Sequence, residues 1–304
     1  MNIFITGGLG FIGRHLTRYF LDRGHYVTAT GLRSRQEVFG DENFRYISFD
    51  TTMKGPWMEA LDDMDAVINL AGKSIFTRWT RRNKKRIYDS RILTTRNIVE
   101  AIPDNRPLIF CSASASGFYG DGGDDILTEA SPSGTDFLAE VGRAWEAEAA
   151  RAEEKGARVI IVRFGIVLGR HGGIMGKMLP AFKFFVGGPL GDGKQWFPWI
   201  HMDDLKTAFQ FVIDNDTIRG PINFCSPRPV TNSTFVKTLG RLLNRPAWMP
   251  TPVFMLRLAM GELGSAIINS QRVVSEKLTA NGFQFNFPDI ESALADIVRQ
   301  GQDI

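Results

Sequence analysis

The chain has 304 residues, 43% of them hydrophobic, with a formal net charge of +3; that length allows one large α/β domain with a sizeable core and a smaller appendage. So mild a charge gives no ground for a nucleic-acid partner and leans toward a small molecule carrying negative charge. Cys111 and Cys225 sit in the apolar runs LIFCSAS and INFCSP, which predicts reduced, packed thiols rather than a disulfide framework. The opening MNIFIT is too short for a signal peptide and no apolar run approaches a membrane span, so a soluble, cytoplasmic protein without a membrane partner is expected.

In chain order, short apolar and β-branched runs alternate with helical stretches through the first two thirds. The predicted strands are NIFIT, HYVTATG, FRYISF, AVINLA, PLIFCSA and RVIIVRF, each nearly continuously apolar, as central parallel strands are. The predicted helices are Gly10 to Arg23, a short one at Trp57 to Leu61, a long basic one from Thr80 to Ala101, and an acidic one from Phe137 to Lys155. This alternation predicts a Rossmann-type, doubly wound parallel sheet. Beyond Arg163 the pattern gives way to the glycine-rich segments GRHGGIMGKMLP and VGGPLGDGKQWFPW, read as loops. A helix at Asp203 to Asp214 follows, then a helix begun by Thr231, Asn232 or Ser233, and a last helix at Asp289 to Gln300. Residues 1–165 are therefore expected to form the nucleotide-binding domain, with 200–225 returning to it. Residues 166–304 would form a smaller α/β substrate region.

The first strand runs into TGGLGFIG. Gly7 permits a tight turn, Gly10 lets the backbone approach a diphosphate, and Gly13 brings helix and strand together. The amides of Phe11, Ile12 and Gly13 then open a helix whose N-terminus attracts phosphate. What makes the motif specific is its place between a strand and a helix, in a unit that returns to a second strand. An acidic residue at the end of that second strand would repel a 2′-phosphate. Here the sequence reads TATGLRSRQ, placing Arg33 and Arg35 where a phosphate dianion would need donors. NADP(H) is expected over NAD(H).

The glycine pattern, ISFD ending at Asp50, NLAG at Asn69 to Gly72, and SASASGFYGD at Ser112 to Asp121 together resemble the extended short-chain dehydrogenase/reductases, the NAD-dependent epimerase/dehydratase superfamily. GGIMGKMLP, GGPLGDGKQWFPWIHMDDL and QRVVSEKLTANGFQF are similar to the YfcH-like branch of that superfamily over nearly the whole chain. The resemblance implies that Asp50 contacts adenine, that Leu70, Ala71 and Gly72 line the cofactor, and that the segment before Gly191 helps form the substrate cleft. It also implies that His201 and Asp203 orient backbone and cap a helix. Typical members carry a Tyr-x-x-x-Lys pair on the helix after the SASAS strand: the tyrosine is the acid/base, and the lysine lowers its pKa and holds the nicotinamide ribose. In this chain that helix reads DFLAEVGRAWEAEA. Leu138 and Gly142 fall at the pair's positions, and no register restores both groups. The usual hydroxyl position falls on Ala115, flanked by Ser114 and Ser116.

Tyr119 is the first candidate to replace the missing acid/base, with Ser114 and Ser116 beside it. A lone phenol near its ordinary pKa is a weak base, so it needs a cation, for which Lys73 and Lys177 are the candidates. In TRWTRRNKKRIYDSR, Arg78, Trp79 or Arg91 could reach the cleft and hold an anion, against the reading of a solvated charged face. Gln195, Trp196, Phe197 and Trp199 could line an aromatic pocket or pack the small region on the large one. Four histidines and two cysteines, scattered along the chain, predict no metal site. Two readings stand: an NADP(H)-dependent oxidoreductase or epimerase-like enzyme, or a non-catalytic NADP(H)-binding regulatory or sensor protein with a protein or RNA partner. The oligomer is a monomer or a homodimer.

Overall fold

Seven short runs become the parallel strands of one sheet: β1 (Asn2–Thr6), β2 (Tyr26–Gly31), β3 (Phe44–Ser48), β4 (Ala66–Asn69), β5 (Ile109–Ala115), β6 (Arg158–Phe164) and β7 (Gly220–Phe224). Their spatial order is β7-β6-β5-β4-β1-β2-β3. The chain thus winds one way from β1 and then the other, leaving a crevice at the carboxyl ends of β1 and β4, where ligands of such sheets bind. The structure is a computed structural model and describes residues 1–33, 39–170 and 172–299.

The period of two along each strand sorts side chains onto two faces. Ile3 and Ile5 of β1 turn toward α1 (Phe11–Leu21) and α5 (Met202–Asp214), packing with Leu16, Phe20, Leu205 and Phe209. Phe4, Val67 and Phe110 turn the other way, against Ile98 and Val99 of α2 (Arg81–Ala101) and Ala149 of α3 (Phe137–Ala150). Each such large side chain contributes about 1.5–3 kcal/mol on burial. Strand Gly220–Phe224, which no predicted strand matched in full, closes the sheet beside β6.

A second core lies past β6. Met175 and Phe182 of α4 (Met175–Lys183), Phe235 and Leu239 of α6 (Asn232–Leu243), and Leu294 and Ile297 of α10 (Ile290–Arg299) pack with Phe197 and Trp199. The segment read from sequence as the loop GRHGGIMGKMLP therefore contains a helix. Met175, Met178, Leu179 and Phe182 repeat at helical spacing, and their burial outweighs the punctuation of Gly176 and Pro180. Three further short helices lie between α6 and α10: α7 (Val253–Met260), α8 (Glu262–Ala266), whose Leu263 packs with Trp79 and Ile87, and α9 (Glu276–Ala280), whose Leu278 joins the first core. Cys111 and Cys225 are free thiols, fully buried; burial pushes Cys111 up to about 12 and Cys225 well above the ordinary thiol value. Among the described residues no helix is long and apolar enough to cross a membrane.

Candidate functional site

The β1–α1 turn is as tight as its glycines allow. Gly7 has φ +67°, and its carbonyl accepts the Gly10 amide at 2.8 Å. A Cβ on Gly13 would stand 2.2 Å from the Gly7 oxygen and 2.7 Å from the Gly8 Cα, so only glycine lets helix and strand meet here. Gly8 is a fourth required glycine that the motif reading passed over, since its Cβ would lie 2.5 Å from that of Ala29. The helix start carries no side-chain cap and no acidic residue. Among the described residues no acceptor meets the amides of Phe11, Ile12 and Gly13. These donors, at the positive end of the helix, form a cradle that a diphosphate fits. The Phe11 ring is enclosed by Gly172 and Gly173: a Cβ on Gly172 would lie 2.3 Å from it.

Thr6 ties this turn to the NLAG loop. Its hydroxyl donates to Asn69 Oδ1 at 2.7 Å and accepts from the amides of Leu70 (3.1 Å) and Ala71 (3.2 Å). Gly7, Gly10 and Gly13 thereby share one crevice edge with Leu70, Ala71 and Gly72. Asp50 stands exposed two residues past β3, its carboxylate accepting from the Thr52 amide and hydroxyl at 3.0 and 2.7 Å. Arg33 is exposed just past β2, its carbonyl held by the Tyr46 hydroxyl at 3.0 Å. Arg35 lies outside the described residues.

On the far side of β5, the Ser116–Tyr119 turn covers a buried polar network. Arg163 of β6 makes a two-pronged bond to Glu146 of α3, Nε to Oε1 at 2.9 Å and Nη2 to Oε2 at 2.8 Å. Ser114 donates to the same Oε1 at 2.6 Å. Arg163 Nη1 donates to the Tyr119 hydroxyl at 3.0 Å, and that hydroxyl donates to Asn223 Oδ1 at 2.7 Å. Burial draws Arg163 down, but the Glu146 carboxylate outweighs it and leaves the guanidinium above its ordinary value.

This network corrects the expectation for Tyr119. The ring is 3% exposed, and burial pushes the phenol up to about 12, against the opposing pull of Arg163. Its cation is Arg163, not Lys73 or Lys177. The direction is opposite to that needed by a base working at neutral pH. Ser114 is likewise committed to Glu146, and Ser116 is buried at 8% exposure. Lys177 is exposed on α4 with its Nζ 4.6 Å from the centre of the Phe76 ring. The four residues proposed for proton transfer thus do not converge: two belong to the buried network, and Lys177 belongs to another wall. Neither Arg163 nor Glu146 stood out in sequence, because a charge inside RVIIVRF and another inside an acidic helix carry no shared spacing.

The two altered positions of α3 are filled by packing. A Cβ on Gly117 would lie 3.2 Å from the Leu138 Cβ, and one on Gly142 would lie 3.3 Å from the Phe118 Cα. The helix therefore sits close against the turn that carries Tyr119. On α2, Lys85 pairs with Asp89 at 2.6 Å and Arg96 with Glu148 at 3.0 Å, in keeping with a charged surface. Trp79 is buried against Phe137 with ring centres 5.0 Å apart. Arg78 is exposed, and Arg91 donates to the Lys73 carbonyl at 3.0 Å, just past the NLAG loop. In the aromatic segment Phe197 and Trp199 are buried core, and Trp196 donates to Asp124 at 2.8 Å. His201 Nδ1 accepts the Asp203 amide at 3.2 Å and caps α5; burial lowers its pKa. His201, Asp203 and Asp296 each bring one possible ligand atom within 4.8 Å of the others.

Comparison with known proteins places this geometry. The model of the NAD dependent epimerase/dehydratase family matches residues 3–224, and a domain of unknown function, DUF1731, matches residues 251–297. The epimerase family protein YfhF of Bacillus subtilis is 38% identical over 98% of this chain and 98% of its own. The crystal structure of human epimerase family protein SDR39U1 (isoform 2) with NADPH superposes with a TM-score of 0.87 at 31% identity, covering 98% of this chain and 99% of that one. The nucleoside-diphosphate sugar epimerase from Corynebacterium glutamicum superposes with a TM-score of 0.75 at 33% identity, covering 99% of this chain and 61% of that one.

Proposed function

The chain belongs to the NAD-dependent epimerase/dehydratase family, and from that premise we propose that it is an NADP(H)-dependent oxidoreductase or epimerase-like enzyme acting on a small anionic molecule. The observation that carries the reading is the β1–α1 turn: three amides that meet no acceptor among the described residues, at a helix start that only glycine can bring so near the strand. NADP(H) would supply hydride chemistry at the crevice. In this reading Gly7, Gly10, Phe11, Ile12 and Gly13 hold the diphosphate through backbone, and Leu70, Ala71 and Gly72 line the second half of the dinucleotide. Asp50 meets adenine, and Arg33 together with Arg35 binds the 2′-phosphate. Two relatives support the ligand classes: the human protein was crystallised with NADPH, and the Corynebacterium protein is a nucleoside-diphosphate sugar epimerase.

A second reading has its own observation. Leu138 and Gly142 are packed tightly where a phenol and an ammonium would stand, and Tyr119 is held neutral. A protein that binds NADP(H) without turning it over, as a sensor, fits that arrangement. Dissociation constants for NADPH and NADH, followed by NADPH consumption and by substrate conversion (epimerised product) across nucleotide sugars and simple carbonyl compounds, separate the cases. Tighter NADPH binding with substrate-dependent turnover is the expected result. Saturable NADPH binding with no turnover supports the sensor, and equal or tighter NADH binding refutes the cofactor assignment.

A further inference from the structure

Arg91 is a guanidinium with donors to spare at the edge of the crevice. It projects from α2 beneath the loop that follows β4. Nη1 donates to two carbonyls, Lys73 and Ile87, each at 3.0 Å. The Lys73 amide in turn is held by Ser90 at 2.9 Å, so the loop and this turn of α2 are bound together. Among the described residues no acceptor meets Nε or Nη2, and no carboxylate pairs with the side chain. One face of the guanidinium lies 5.2 Å from the centre of the Trp145 ring. On another side a Cβ at Gly72 would stand 3.2 Å from Cζ, so the bare backbone of Gly72 is what gives the guanidinium its place. Burial lowers Arg91 to about 10, the mark of a cation partly stripped of water with no anion to offset it.

The helix register puts this cation at a telling level. Leu138 of α3 packs into the cluster of Trp79 and Ile87, and Trp145 donates to Thr95 at 2.9 Å. Arg91 lies midway between Ile87 and Thr95, hence level with the stretch around Gly142, where α3 contributes no side chain. A dinucleotide whose diphosphate sits on the α1 amides, and whose adenosine half extends toward β2 and Arg33, must lay its other half over β4 and β5. That path passes Gly72.

We infer that Arg91 binds the nicotinamide half of the dinucleotide, with Nε and Nη2 donating to its ribose hydroxyls. The inference rests on the NADP(H) reading and adds a contact from α2. A vicinal diol suits a planar fork of N–H donors. The cation reaches the site from the helix before β5 because the helix after it carries glycine at that level.

The test compares two ligands on one protein. NADPH spans both halves of the site, and adenosine 2′,5′-bisphosphate occupies the adenosine half alone. For Arg91→Met, NADPH affinity is expected to fall about 10- to 100-fold, the loss of hydrogen bonds from a charged donor. Affinity for adenosine 2′,5′-bisphosphate should change less than about twofold on the same reasoning. Arg91→Lys, which keeps the charge and loses the fork, should lie between wild type and Arg91→Met for NADPH alone. It carries the comparison if Arg91→Met does not fold. Equal weakening of both ligands, or unchanged NADPH affinity, overturns the inference while leaving the cofactor assignment standing. A wild-type chain that binds neither ligand overturns both.

Discussion

Replacing Glu146 by leucine tests whether the network under Tyr119 is held by charge or by shape. The pair is bidentate at 2.9 and 2.8 Å, and the two side chains are 4% and 10% exposed. Glu146→Leu keeps much of the volume but leaves the Arg163 guanidinium, among the described residues, with the Tyr119 hydroxyl and ring, the Glu129 carbonyl and the Phe118 ring, whose centre is 3.6 Å from Cζ. Stranding one member of a buried ion pair costs about 3–5 kcal/mol. Ser114 also loses its acceptor, which adds about 1 kcal/mol. At about 2–4 °C per kcal/mol for a large domain, the midpoint of thermal unfolding should fall by roughly 8–24 °C. The double variant Glu146→Leu/Arg163→Met removes both charges and should recover to within about 2 kcal/mol of wild type, since apolar replacement of a whole buried pair is often neutral. Urea unfolding of the two single variants and the double gives the coupling directly. A single-variant loss under about 1 kcal/mol, or a double variant as unstable as the sum of the singles, would refute the argument.

Other consequences follow from single groups. Tyr119 has a folded-state pKa near 12 against 10.0 in the open chain; the folded form keeps its proton longer, so the associated stability is intact below pH 10 and is lost as pH rises toward 12. Tyr119→Phe should flatten that part of the stability profile, and an unaltered slope between wild type and variant would contradict the assignment. Asp204 accepts the amides of Asn286 and Phe287 at 2.7 and 3.0 Å. Asp204→Ala should cost about 2–5 kcal/mol and speed hydrogen exchange ahead of α10, while Asp204→Asn, which keeps one oxygen, should cost less. Gly13→Ala drives a Cβ to 2.2 Å from a backbone oxygen and should weaken NADPH binding at least about 10-fold, as the amides are displaced. Gly176→Ala meets nothing within 4 Å and, inside α4, should stabilise by about 0.5–1 kcal/mol.

The sheet was legible wherever a strand is a short apolar run, and α1 and the start of α6 were legible from local chemistry: glycines at fixed spacing, and a cap among Thr231, Asn232 and Ser233, of which the Thr231 hydroxyl accepts the Thr234 amide at 3.3 Å. α4 was misread because glycine and proline are loud signals in sequence, whereas the pocket that receives Met175 and Phe182 is built by α6 and α10, more than fifty residues later in the chain. The loss of the tyrosine–lysine pair could be read because it is a vacancy in a known spacing. What fills the space could not, since Glu146, Arg163 and Asn223 meet only through the order of strands in the sheet. Arg91 was named with Arg78 and Trp79 as a side chain that could reach the cleft; what sets it apart from them is a burial that periodicity does not reveal.

Cys111 and Cys225, each fully enclosed and each with a thiol held far from ionisation at neutral pH, give the folded chain a chemical silence. Alkylating and disulfide reagents should find no thiolate until the sheet opens, so modification of the natural cysteines clocks unfolding. A cysteine introduced on an exposed loop would react alone, and a fluorophore attached there would follow crevice motions without removing either native sulfur.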